Sequence, residues 1–509
     1  MTFNLTLKAL FPLLGLLLFS LFSCAPPQKM TVVIKMMPAQ EEHFKKNVIA
    51  SFEKENNVII TVKSVKRLKD IPQLIHQNSP IGPVSLVKVP FEMTRKLAMK
   101  NSLLPLDKLL TPKEFEEVKK EYFLMDLTKT EEQYFYLPRK FETRMLVYIK
   151  SQVKDAVKNW EQYREEIQAA LKRHNRHGLP THYLLEPNPS EWDYFDIFVV
   201  GFYWKSKVIH GRKIPRIGHR GKKYQGTALR LMDRAYQFGA KRENILAMQG
   251  QAVTDAFTWE ALYYNENIYN KKMTQEKWSG SDIWKAFGSG DVFLSFMTQI
   301  DAFFIHGAGT DKIPGFLKDP EDMGVALIPQ AVSLELENGE PMRVGTRSIT
   351  TGGWWWGIPQ TAPSPTLSLK LARHITNAQN QIEGCSGFGM IPVRRDILSE
   401  LGLLFGGGWI SEIFSVASRQ LVENQYTIIP LIEEFPAISR NYIEAFYEIS
   451  VRGNAGPNGK VSERHIERVL TKQYVPLQQE ILGSKYPYRI ERGNKRQRTP
   501  KRFKTLNSK

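Results

Sequence analysis

Three tryptophans in a row sit between glycines in Gly352-Gly353-Trp354-Trp355-Trp356-Gly357. Alternate residues of a strand face opposite sides, so three indoles cannot share one core. The flanking glycines permit close backbone approach. Three other segments gather rings and planar polar groups. Pro138-Arg139-Lys140-Phe141-Glu142 sets basic groups beside a carboxylate, with Arg144 just beyond. Ser190-Glu191-Trp192-Asp193-Tyr194-Phe195-Asp196 mixes acids with aromatics, and Thr298-Gln299-Ile300-Asp301 follows an apolar run, with His306 further on. Such sets suit stacking on ring faces and hydrogen bonding to a polar rim. Each has a plainer reading: tryptophans on either side of a strand, a solvated ion pair worth little, or a helix cap at Ser190 or Asp193. Trp259-Glu260 reads as core beside surface, and Arg394 and Arg395 as either cleft-facing or solvated.

Motifs for other chemistries are missing from the sequence. There is no Gly-x-x-x-x-Gly-Lys-Ser/Thr phosphate loop, no Gly-x-Gly-x-x-Gly opening a βαβ unit, no His-Glu-x-x-His and no Gly-x-Ser-x-Gly. His174, His177 and His182 lie in a polar connection rather than on one helical face, so no metal and no cofactor is expected. Carboxylates such as Glu142 and Asp193 leave glycoside hydrolysis open as a rival. That chemistry needs the pair about 5–5.5 Å apart, or roughly 6.5–9.5 Å for inversion.

The elements that must position these residues alternate between strand and helix. Strands are predicted at Met30–Met36, Asn57–Ser64 and Ser85–Val89, with helices at Glu42–Glu55 and Glu92–Lys100. Two apolar runs, Tyr134–Leu137 and Thr143–Ile149, flank Pro138. Further strands are expected at Val292–Phe296, Val325–Ile328 and Trp354–Ile358. Helices are expected at Val153–Leu171, Lys222–Phe238, Val253–Tyr264, Ser281–Phe287 and Pro365–Asn377. From Trp409 onward the chain reads as mainly helical. This alternation predicts an α/β fold.

The chain has 509 residues, 42% hydrophobic and 24% charged, enough for two lobes and ordinary for a globular protein. Of its formal charge of +18, +8 lies at the end, where residues 487–509 carry nine basic residues and one acid. That segment reads as a solvated, disordered tail rather than as a nucleic-acid surface. Met1–Ser23 reads as a secretory leader whose apolar stretch is too short to span a membrane. It ends in Leu21-Phe22-Ser23-Cys24, which resembles the lipobox of bacterial lipoproteins and implies lipidation at Cys24. The other cysteine, Cys385, reads as a small buried apolar residue.

Four motifs in order carry a wider resemblance: Leu104-Pro105-Leu106-Asp107; Leu137-Pro138 through Tyr148-Ile149-Lys150; Phe287-Gly288-Ser289-Gly290-Asp291; and Gly352 through Ile358-Pro359, with Gly389-Met390-Ile391-Pro392 downstream. From about Thr31 to Leu482 the chain resembles the family-1 extracellular solute-binding proteins of carbohydrate uptake, although Ile149 stands where the family has Asn. The resemblance implies a bilobal, periplasmic-binding-protein type II-like α/β fold. Its two doubly wound lobes are joined by a hinge that the chain crosses about three times. Lobe 1 is expected over residues 31–140 plus 330–405 and lobe 2 over 141–329 plus 406–485. A leader (1–23) and lipidated tether (24–30) precede them, and a basic tail (486–509) follows.

The function implied is that of a non-catalytic, monomeric lipoprotein outside the cytoplasm. It captures a carbohydrate in the cleft and presents it to an ABC permease, with no nucleic acid involved. The ligand-binding residues implied are Arg139, Glu142, Trp192, Asp193, Gln299, Asp301, Trp354 and Trp355. An exported glycoside hydrolase and an envelope interaction protein are the rival readings.

Overall fold

The computed structural model describes residues 26–488 apart from 124, 209–212, 214–215, 309–312, 399–400, 402–404, 406 and 423–425. The leader, Cys24 and the basic tail from 489 lie outside the described residues. β-Branched residues of β1 (Gln28–Ile34) pair in parallel with β2 (Val58–Ser64) on one side and β3 (Leu86–Pro90) on the other. The helical stretch α1 (38–56) joins β1 to β2, burying Phe44, Val48 and Phe52 along one stripe as their spacing predicts. All five residues of β3 are buried, as befits a strand with neighbours on both sides.

β4 (Tyr136–Glu142) continues almost directly into β5 (Arg144–Ile149), and the two belong to different sheets. β5 lies between β6 (Leu294–Thr298) and β7 (Met323–Ala326), antiparallel to both, so β6 and β7 run the same way. β4 returns to the first sheet, where it pairs with β8 (Ile349–Gly357). β8 is also antiparallel to β3 and pairs in parallel with β9 (Tyr426–Ile428), giving the order β9-β8-β3-β1-β2. The short strand β9 stands within the section the sequence reads as helical. A Cβ on Gly353 would fall 2.0 Å from the Lys140 carbonyl oxygen, beside the bulge between Trp354 and Trp355. Only glycine lets β8 close on β4 there.

Helices cover the second sheet. α2 (Tyr194–Ser206) is apolar all round and buries eleven residues, so it is a core helix. α3 (Gln225–Gln237) and α4 (Gln251–Asn265) pack on each other and on the helices beyond Phe435. α5 (Gln299–His306) follows β6. Residues 331–346 sit with α4 rather than with the first sheet: Trp259 donates to the Val332 carbonyl (2.6 Å) and Arg343 is bidentate on Asp255. The chain therefore rejoins the first sheet at β8, later than the expected boundary at 330. The helix Gly408–Val422 packs on the second sheet, β9 on the first, and Phe435–Phe446 on α3 again. The chain thus passes between the halves more often than the three crossings expected. Among the described residues no helix is long and apolar enough to cross a membrane.

Candidate functional site

The C-terminal ends of β1 and β3, the end of β4 and the middle of β8 form one wall of a cavity of about 550 Å³. Strand ends of this kind are where open α/β sheets hold ligands. The facing wall comes from the second half: Arg220, Tyr224, the start of α3, Trp284 and the β6–α5 junction.

Alternation along β8 decides the fate of the three tryptophans. Trp354 and Trp356 project to one face. Trp356 is fully buried and stacks on Phe44 of α1, whereas Trp354 is only partly buried and lines the cavity. Trp355 projects to the other face, packed on Phe91 and Phe141 with 1% of its surface exposed, and does not reach the cavity.

Glu142, the last residue of β4, holds Trp354 in place. Its Oε1 accepts from the Trp354 indole N–H (3.0 Å) and from Lys140 Nζ (2.8 Å). Burial pushes the Glu142 carboxyl up, but the Lys140 charge and these bonds outweigh it and hold the group at about 2. Lys140 itself stays below the ordinary lysine range because burial outweighs the attraction of Glu142. The second carboxylate oxygen, Oε2, takes no hydrogen bond among the described residues and is free for a ligand hydroxyl.

Asp301 lines the opposite wall, and its oxygens are already taken. Oδ2 accepts from Arg220 (2.6 Å) and from the N–H and hydroxyl of Thr298, and Oδ1 accepts from Trp284 Nε1 (2.9 Å). The N-cap geometry of Thr298-Gln299-Ile300-Asp301 fixes this carboxylate at the head of α5. Asp301 therefore orients Arg220 and Trp284 toward the cavity.

The other expected binding residues lie elsewhere. Gln299 is fully buried as a strut between crossings: its Oε1 accepts from Thr143 N (3.0 Å), and its Nε2 donates to the Phe141 and Gly389 carbonyls. Arg139 is buried behind β4, its guanidinium against Met390 Sδ and pushed down to about 10 by burial. Trp192 is a core residue donating to the Glu186 carbonyl. Asp193 caps α2, accepting from the N–H groups of Phe195 and Asp196. Burial raises both Asp193 and Asp196. None of these four lines the cavity, and Asp193 does not face Glu142 across it as a hydrolytic pair would. His174 hydrogen-bonds Glu266 and the Val461 N–H. No group of three or more His, Cys, Asp or Glu among the described residues is placed to hold a metal.

Cavity residues that the motifs did not single out include Lys88, Glu92, Lys140, Arg220, Tyr224 and Trp284. A lone lysine inside the apolar run Leu86–Pro90 was the available signal for Lys88, because such a residue seldom sits in a central strand without a task. Lys140 stood beside two chosen residues. Nothing in the sequence around Arg220 and Tyr224 marks them.

Glu92 gives the cavity a measurable pH signature. Burial, reinforced by the nearby Glu142 charge, raises its carboxyl from 4.5 to about 7. The folded state then binds this proton more tightly than the unfolded chain does. Its contribution to stability is full at low pH and is lost as pH rises from about 4.5 toward 7. The Glu92→Gln variant is expected to lack that loss, so the wild type's advantage over it shrinks between pH 5 and pH 8. Thermal melts of both proteins at the two pH values check this, and a constant gap counts against it.

The fold has counterparts among solved structures. A sugar-loaded relative from Thermotoga lettingae TMO, an ABC transporter solute-binding protein bound with alpha-D-tagatose, is 16% identical with a TM-score of 0.62, covering 90% of this chain and 100% of its own. The acarbose-binding GacH receptor of Streptomyces glaucescens is 14% identical with a TM-score of 0.63, covering 89% and 99%. A maltotriose-binding protein of Thermus thermophilus is 15% identical with a TM-score of 0.59, covering 89% and 100%. At such identities the likeness establishes the bilobal fold. No curated protein matches the chain by sequence. The sequence model of the bacterial extracellular solute-binding proteins matches residues 47–400, most of the chain, and the protein belongs to that family, whose members bind solutes rather than transform them.

Proposed function

We propose that this protein captures a carbohydrate between its two halves and delivers it to an ABC permease, held at the outer side of a membrane through a lipid on Cys24. The observation that carries the reading is the Trp354–Glu142–Lys140 group, an aromatic face beside a carboxylate with one unoccupied oxygen, facing Arg220 and Trp284 across the cavity. Flat C–H faces stack on the indole, and hydroxyls find the carboxylate, ammonium and guanidinium. The sugars bound by the structural relatives support the same class of solute. Of the residues expected from the sequence, Glu142 and Trp354 meet the solute in this reading. Asp301 orients the opposite wall, while Gln299 and Arg139 support the strand crossings. The protein acts as a monomer, without nucleic acid.

A thermal-shift panel of mono- and oligosaccharides tests the proposal. A ligand that binds only the native state raises its melting temperature by mass action. At least one sugar is expected to raise the midpoint in a concentration-dependent way. A panel in which no sugar shifts it overturns the reading.

A further inference from the structure

The cavity carries more positive charge than its own acids answer. Five basic residues line it, Lys35, Lys88, Lys140, Arg144 and Arg220, against Glu92, Glu142 and Asp301. Lys140 is paired with Glu142 (2.8 Å), Arg220 with Asp301 (2.6 Å), and Arg144 with Asp233 just beneath (2.9 Å). Lys88 is left over. Its residue surface is 2% exposed, yet it has no ion-pair partner among the described residues. Its ammonium donates to the Lys35 carbonyl (2.8 Å) and sits 4.1 Å from the centre of the Trp354 ring. The nearest negative charge, on Glu142, is committed to Lys140 and Trp354. A buried, uncompensated ammonium is costly, and proteins rarely keep one without an occupant to answer it.

Building on the sugar-binding reading, we infer that the solute is an acidic sugar whose single carboxylate pairs with Lys88 while its ring lies against Trp354. Three features converge on a uronate unit. The same indole supplies the stacking surface and carries the ammonium on its face, so ring and charge are recognised together. One buried leftover cation, with the other, Lys35, half-buried and already screened by solvent, matches a carboxylate of charge −1 better than a phosphate monoester. The net positive charge of the whole chain favours the approach of an anion. Burial, with Arg139 and Lys140 nearby, holds the Lys88 ammonium well below the usual lysine range in the empty protein. An incoming carboxylate restores that ammonium. Binding then draws a proton from solution, with Lys35, Glu92, Arg139, Lys140 and Glu142 as the neighbouring charged groups.

Calorimetric titration of the purified protein tests this. The probes are D-galacturonate, D-glucuronate and their disaccharides, beside galactose, glucose, their neutral disaccharides and glucose 6-phosphate. A uronate is expected to bind at least about tenfold more tightly than the neutral sugar of the same ring. Titrations in buffers of different ionisation enthalpy, run across a series of pH values below the ordinary lysine range, are expected to show proton uptake for the uronate only. The Lys88→Met variant, checked for folding by circular dichroism, is expected to lose roughly 30-fold in uronate affinity and little in neutral-sugar affinity. Neutral sugars binding as well as their uronates overturn the inference and leave the sugar reading standing, whereas no binding by any sugar overturns the sugar reading itself. A sugar phosphate bound more tightly than either uronate overturns the single-charge argument. Undiminished uronate selectivity in Lys88→Met removes Lys88 from it. Should that variant fail to fold, wild-type proton uptake decides: equal uptake for uronate and neutral sugar overturns the inference.

Discussion

Trp354→Ala is expected to weaken solute binding by roughly 30- to 150-fold while the protein stays folded. The substitution removes the ring face, the indole donor to Glu142 (3.0 Å) and the surface beneath the Lys88 ammonium (4.1 Å). A stacking face and a hydrogen bond to a charged acceptor together are worth about 2–3 kcal/mol in a desolvated site, and 1.4 kcal/mol is tenfold. Trp354 is only partly buried, so its loss leaves a modest cavity. Its neighbour supplies the control. Trp355→Ala removes a ring packed on Phe91 and Phe141 and is expected to cost about 3–5 kcal/mol of stability instead. Calorimetric titration beside urea denaturation of both variants separates the effects. Equal binding loss in the two would count against the division of faces along β8.

The second large effect is structural. Glu260 on α4 is completely buried and pairs with both Arg230 and Arg234 of α3, while the Tyr269 hydroxyl also donates to it (3.2 Å). Burial pushes its carboxyl up, yet the two guanidinium charges dominate and keep it below the usual range. Arg234 is sandwiched further by Tyr194, Tyr263 and Phe296, and Arg230 by Phe446. The Glu260→Gln variant keeps the shape but leaves two buried cations without a counter-charge, which is expected to cost about 3–5 kcal/mol. Urea denaturation of wild type and variant checks it. A loss under about 1 kcal/mol would mean that the aromatic faces and tyrosine hydroxyls suffice to hold the guanidiniums.

Periodicity revealed elements; environment, which comes from distant segments, remained hidden. The stripe Phe44, Val48, Phe52 predicted α1, and β-branched runs predicted β1, β2 and β3 within a residue or two. Strict alternation predicted that three adjacent tryptophans would divide between faces, but not which of them reaches the cavity. That depends on α1 covering Trp356 and on Phe91 and Phe141 covering Trp355. Asp193 illustrates the opposite error: an acid among aromatics looked like a ligand group and is a helix cap, the plainer alternative. Glu260, read as surface beside a core tryptophan, is buried because α3 brings two arginines to it from some thirty positions upstream. β9 escaped notice because three residues between helices carry no period. Lys88 was visible as an oddity in an apolar strand, but its meaning needed Trp354, 266 positions away, to fold over it.

The two carboxylate pairs of the cavity have a mechanical corollary. Lys140, Glu142 and Trp354 all belong to the first sheet, and Arg220, Asp301 and Trp284 all belong to the second half. Each wall carries its own neutralised dyad, so swinging the walls apart tears no charged bond and strands no ion. The bridge that does span both halves, Arg144 and Asp233 on Thr350, lies where β4 passes into β5, close to the pivot, where displacement is smallest. Only the weaker attraction of Glu142 for Arg220 and of Lys140 for Asp301 acts between the walls, so shutting the gap is left chiefly to whatever molecule spans it.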